Sequence, residues 1–193
     1  VMSMNRGQAW DLLTKYNKEP FHLRHAITVE HVMGWYAREL GYGEEADFWS
    51  IVGLLHDLDF EMWPEEHCEK SQELMREAGR ISHLALMAGV RAVQPGRTTM
   101  DVNRAVHDVI LSFGAKPSFL GYGGFPAAAC VSINEEVIHG IPSKRRRIQE
   151  GDIVSIDTGA IYQGFHGDNA FTVAAGQTTA ECEELMAVTQ KCL

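Results

Sequence analysis

No two cysteines in this 193-residue chain stand in a CxxC spacing; Cys68, Cys130, Cys182 and Cys192 are scattered along it. That spacing argues against a zinc knuckle or a disulfide framework. With no secretory leader at the start, it points to reduced thiols and a cytoplasmic location. Long hydrophobic runs are missing too. No apolar stretch approaches the ~18 residues that a membrane-spanning helix needs. Positive charge is scarce, with 17 Lys and Arg against 26 Asp and Glu and a net charge of −9. Phosphate-rich partners would be repelled, so neither specific nucleic-acid binding nor membrane binding is expected. Repeats and low-complexity linkers are also lacking. What remains is an ordinary globular composition, 45% hydrophobic, at a length that fits one medium domain or two small ones.

The first 90 or so residues read as helical. Asn5 can cap a helix carrying Trp10, Leu13 and Tyr16. A second helix is expected over 22–40, with Leu23, Ala26, Met33, Tyr36 and Leu40 near one stripe, stopping at Gly41. A third, over 44–56, is expected to bury Phe48, Ile51, Val52 and Leu55. A fourth runs from about Glu69 to Val93, weakened at Gly79. Thr98 and Asp101 form a capping-box pattern for a fifth helix that closes at Gly114. The periodicity then changes from helical to two. Val131 and Ile133 alternate with small or polar residues, and Ile153, Ser155 and Asp157 alternate with Val154, Ile156 and Thr158, which predicts antiparallel hairpins. A last helix begins near Thr179.

Within the hairpin over 152–173, two turn positions are open. A turn centred between Tyr162 and Gln163 sets Asp157 opposite Asp168. A turn on Gln163 and Gly164 sets Asp168 opposite Gly159, diagonal to Asp157. Either register leaves both carboxylates on one face, about 4.5 to 8 Å apart. Like charges at that range are destabilising unless one is protonated or a cation lies between them. Paired oxygen ligands of this kind suit divalent Mn, Co, Fe or Zn in a two-metal hydrolase.

The residues from about 74 onward resemble the type I methionine aminopeptidase family. The resemblance rests on 74–81 (LMREAGRI), 95–99 (PGRTT), 116–126 (KPSFLGYGGFP), 134–142 (NEEVIHGIP), 150–157 (EGDIVSID) and 164–168 (GFHGD), in order and at family spacing. It implies that Asp157 and Asp168 are the first two metal-binding carboxylates. His139 matches the histidine that contacts substrate near the scissile amide. Phe119, Tyr122, Phe125 and Cys130 fall where the family forms its methionine side-chain pocket, an environment suited to a thioether. The implied substrates are N-terminal methionyl peptides or nascent chains, and the implied cofactors are divalent metal ions. The family's remaining ligands, a His and two Glu, belong to the second half of a pseudo-symmetric fold. This sequence is expected to stop short of them. Glu181, Glu183 and Glu184 match none of them, and the basic run 144–147 reads as a solvated loop.

A different resemblance covers about residues 5–79. The runs 21–26 (FHLRHA) and 53–60 (GLLHDLDF) are similar to the start of an HD-domain metal hydrolase. It implies that His25, His56 and Asp57 form a metal half-site. The family pattern ends with an Asp on a later helix. Asp59 is too close to His56 and Asp57 to be that residue, and Asp101 and Asp108 belong to the other resemblance.

The expected architecture is therefore α+β: an all-α, HD-like segment over 1–79, then half of a pita-bread aminopeptidase fold over 80–193. The stretch 73–79 suits either family, as a fusion joined within shared sequence would. The function implied first is metal-dependent removal of N-terminal methionine, with activity of this chain in doubt for want of ligands. The alternatives are HD-type phosphoester hydrolysis or a catalytically dead fusion. With half the pita-bread fold missing, Val131, Ile133, Val154 or Ile156 should lose partners, giving an exposed apolar face through which a homodimer would form.

Overall fold

The computed structural model describes residues 4–192, and the chain clusters into two compact units, Val1–Glu73 and Leu74–Leu193. The first unit is helical. Asn5 and Gln8 form a reciprocal capping box that starts α1 (Arg6–Tyr16); this satisfies backbone N–H groups that a helix start leaves without partners. Helix α2 (Pro20–Glu39) opens on a proline at its first position, where a missing N–H costs nothing. Helix α3 (Ala46–Leu55) follows a single 3-10 turn at Gly43–Glu45.

Close packing of α2 on α3 depends on a missing side chain. A Cβ at Gly53 would lie 2.7 Å from the Val29 carbonyl oxygen, nearer than any real side-chain carbon comes. That approach, continued one turn further, carries His25 on α2 toward His56 just after α3. Glu61 fixes the start of α2 by accepting from the backbone N–H groups of Lys18 and Glu19, with His22 Nδ1 3.0 Å away. The expected apolar stripe of α3 is corrected here. Phe48 is 66% exposed and Val52 45% exposed, whereas Ala46, Gly53 and Leu54 are buried. Helix α3 is apolar on nearly every side, so no period marks its inner face, and the small residues win it because α2 lies so close.

Helix α4 (Lys70–Ala92) runs unbroken through Gly79. From Leu74 on, the second unit joins it to α5 (Thr99–Ser112), a four-stranded antiparallel sheet and α6 (Ala180–Lys191). The capping box of Thr98 and Asp101 starts α5. The sheet is built on β3 (Ile153–Tyr162), which pairs with β4 (Phe165–Ala174) along its whole length. Strands β1 (Lys116–Pro117) and β2 (Ala129–Ile133) pair with separate stretches of β3.

Alternation gives the sheet two unlike faces. One turns Val131, Ile133, Val154 and Ile156 into a core with Ile81, Ala85 and Leu86 of α4 and Val102, Val106 and Ile110 of α5. Those four strand residues are at most 1% exposed, so the apolar face expected to drive a homodimer is covered by the unit's own helices. Burying each such side chain contributes about 1.5–3 kcal/mol. The opposite face carries polar and ionisable groups. Among the described residues, no helix is long and apolar enough to cross a membrane.

Candidate functional site

On that polar face the hairpin register decides which carboxylates meet. Tyr162 pairs with Phe165 around a two-residue turn, so Asp168 stands opposite Gly159 and Asp157 opposite Ala170. Gln163 and Gly164 both take positive φ, 53° and 98°, as a two-residue hairpin turn matching strand twist requires. Of the two registers left open above, the diagonal one forms. Cys130 is directly opposite Asp157 on the neighbouring strand. His166, two residues before Asp168, shares the face and lies 3.1 Å from Ser118 Oγ through its Nδ1.

The electrostatics follow from this crowding. Burial first, then the charge of Asp168 and a hydrogen bond to it, push Asp157 up to about 6, with the nearby charge of His139 opposing the rise. Burial, followed by the charges of Asp157 and Asp168, pushes the Cys130 thiol up to about 11. Two carboxylates so placed gain from a proton or a cation between them. His139 itself is exposed in the left-handed region at φ 60°. The chain folds back there: Gly140 donates its N–H to Ser132 Oγ, and its carbonyl accepts from Val131 N–H at 2.9 Å. Of the four residues expected to line a side-chain pocket, Phe119 and Cys130 are buried, Phe125 is half-buried and Tyr122 is exposed. Sequence reasoning missed the pair of His166 and Ser118; its only signal was the position of His166, two residues before Asp168 on a strand.

The first unit holds a second constellation. His25 Nε2 lies 3.2 Å from His56 Nε2 and 3.3 Å from Asp57 Oδ2, and His56 Nε2 lies 3.0 Å from the same oxygen. These three residues come from α2 and from the turn after α3, and they form a group whose ligand atoms could meet on one ion. His67, which sequence reasoning did not single out, reaches the other oxygen of Asp57 at 3.1 Å. Asp59 is 2% exposed. Burial pushes its carboxyl up, but hydrogen bonds from Ser71 N–H, His67 and Cys68 N–H outweigh that and hold it below the ordinary range.

Residues 73–193 match the family described as metallopeptidase family M24, and the chain belongs to that family. It is 52% identical over 119 residues to the methionine aminopeptidase of Clostridium acetobutylicum, covering 62% of this chain and 48% of that protein. It is 42% identical over 128 residues to methionine aminopeptidase 1 of Bacillus subtilis, covering 65% of this chain and 51% of that one. The crystal structure of a methionine aminopeptidase from Thermotoga maritima superposes with a TM-score of 0.60 at 44% identity, covering 62% of this chain and 48% of that one. The chain spans about half the length of the curated relatives it matches.

Proposed function

We propose that the second unit is the first half of a methionine aminopeptidase fold, with Asp157 and Asp168 as two of its metal ligands. The observation that carries this reading is the diagonal placement of the two carboxylates on one sheet face, with Asp157 pushed up to about 6 by burial and by its neighbour. Oxygen donors at that spacing fit a divalent ion of the Mn, Co, Fe or Zn type. When bound, such an ion supplies Lewis acidity toward a peptide carbonyl and lowers the pKa of water. The chain's own residues do the rest. His139 holds or moves a proton at the scissile amide. Phe119, Tyr122, Phe125 and Cys130 receive the methionine side chain of a methionyl peptide or nascent chain.

The other three ligands of the family pattern have no match among these 193 residues. Two carboxylates alone give weak affinity and do not fix an attacking water. The expected outcome is negligible turnover of a Met-Ala peptide by this chain with Co or Mn added. Turnover of about 1 per second or faster, lost in Asp168→Ala, would show that these residues suffice.

A second reading has its own observation. The convergence of His25, His56 and Asp57 supports a separate metal site in the first unit, of the kind an HD-type phosphohydrolase uses. Two imidazoles and one carboxylate leave coordination positions open for water and a phosphoester. Phosphate release that depends on both His56 and Asp57 is its test.

A further inference from the structure

Two nitrogens bound about 2.0–2.1 Å from one tetrahedral ion lie about 3.3 Å apart. The contacts among His25, His56 and Asp57, at 3.0–3.3 Å, have that spacing. The orientation of His56 is set from behind. Its Nδ1 lies 2.8 Å from the Gly53 carbonyl, which can only accept, so Nδ1 carries a hydrogen and Nε2 is the nitrogen turned toward the cluster. Asp57 must present one oxygen to the same point, and a carboxylate on a short side chain turns freely unless something holds its other oxygen.

His67 is that holder. His67 follows the 3-10 turn Pro64–Glu66, and its Nε2 is 3.1 Å from Asp57 Oδ1. Its Nδ1 is 2.9 Å from Asp59 Oδ1. Asp59 in turn accepts from the backbone N–H groups of Ser71 at 2.9 Å and Cys68 at 3.3 Å. A buried carboxylate with those donors cannot swing, so the His67 ring between the two acids is fixed at both ends. We infer, resting on the N-terminal metal site proposed above, that His67 is a positioning residue that clamps Asp57 Oδ1 against buried Asp59 and so aims Asp57 Oδ2, with His25 and His56, at a divalent ion. Asp59 thus acts one layer behind the ligands and is not the missing final Asp of the HD pattern. Ligand-orienting partners of this type change metal affinity by about 10–100-fold when removed.

The test uses the full chain in an Asp157→Asn/Asp168→Asn background, which silences the carboxylate pair of the second unit. Co(II) is titrated calorimetrically, and the visible absorption of the bound ion is recorded. The background protein should bind one Co(II), and His56→Ala should lose it. His67→Ala should weaken binding by about 10–100-fold and alter the Co(II) spectrum. His67→Gln keeps an N–H that reaches toward Asp57 and should recover part of the affinity. Metal-free circular dichroism of each variant confirms that it is folded. If His67→Ala binds Co(II) with the background affinity and spectrum while His56→Ala does not bind, the clamp is overturned and the metal site stands. If the background protein binds no Co(II), the metal site itself is overturned, and the clamp with it.

Discussion

The two units gather their proposed cation ligands from opposite materials. In the second unit the ligands are oxygens only eleven residues apart on one hairpin, and a two-residue turn sets their relation. In the first, nitrogens dominate, and His25 and His56, 31 residues apart, meet only because α2 and α3 pack closely. Local geometry builds one site and tertiary packing the other. The histidine cluster is therefore sensitive to anything that separates two helices, and the carboxylate pair to anything that shifts a strand by one residue.

Core truncation gives the largest contrast. Leu54 and Ile156 are both fully buried, one in each unit. Leu54→Ala and Ile156→Ala should each cost about 2–5 kcal/mol of stability, read by urea denaturation. Only Leu54→Ala should also weaken Co(II) binding at the histidine cluster. Equal loss at that cluster in both variants would break the comparison.

Ion linkage is next. Mn(II) at 100 times its Kd should stabilise the protein by about 2.7 kcal/mol per site, measured as a rise in thermal midpoint. Asp157→Asn/Asp168→Asn should lose the carboxylate-pair contribution, and His25→Ala/His56→Ala the cluster contribution. A shift unchanged by the first pair of substitutions would remove the hairpin as a binding site.

The pH response is smaller and has a definite sign. The folded pKa of Asp157, about 6, lies above its ordinary value of 3.8, so the folded state holds the proton more tightly than the unfolded one. Stability should therefore fall as pH rises from about 4 to about 6 and level off above it. With solvent screening discounted for a half-buried group, the loss is on the order of 1–2 kcal/mol. Asp157→Asn should flatten that segment of the denaturation-against-pH curve, and saturating Mn(II) should do the same.

The smallest effect tests the turn. Gln163 sits at φ 53°, where Asn is tolerated better than Gln. Gln163→Asn should stabilise by about 0.5–1 kcal/mol with the register, and hence the Asp157–Asp168 relation, unchanged.

How much of this was legible in the sequence tracks the same divide. Capping residues named the starts of α1 and α5, and alternation named β2 and β3, because both signals are local. Alternation could not choose between the two hairpin registers, since each keeps Asp157 and Asp168 on one face; the backbone demands of Gln163 and Gly164 chose. Phe48 and Val52 were misplaced because α3 offers no polar side to orient it. Burial of Val131, Ile133, Val154 and Ile156 depended on helices within their own unit, where the expected partner was a missing half-fold. His67 stayed hidden because it lies in a turn with no period. Only its nearness in sequence to His56 and Asp57 could have suggested it.

Cys130 carries a consequence for chemical labelling. Its thiol, buried beside two acids and raised to about 11, holds almost no thiolate at neutral pH, so alkylating reagents and peroxide should pass it by while exposed Cys68 and Cys192 react. A divalent ion on Asp157 and Asp168 cancels the charges that help keep that proton in place. Burial, the larger cause, stays in place, so occupancy would lower the pH at which Cys130 ionises without exposing it, and that shift would report whether the carboxylate pair is filled.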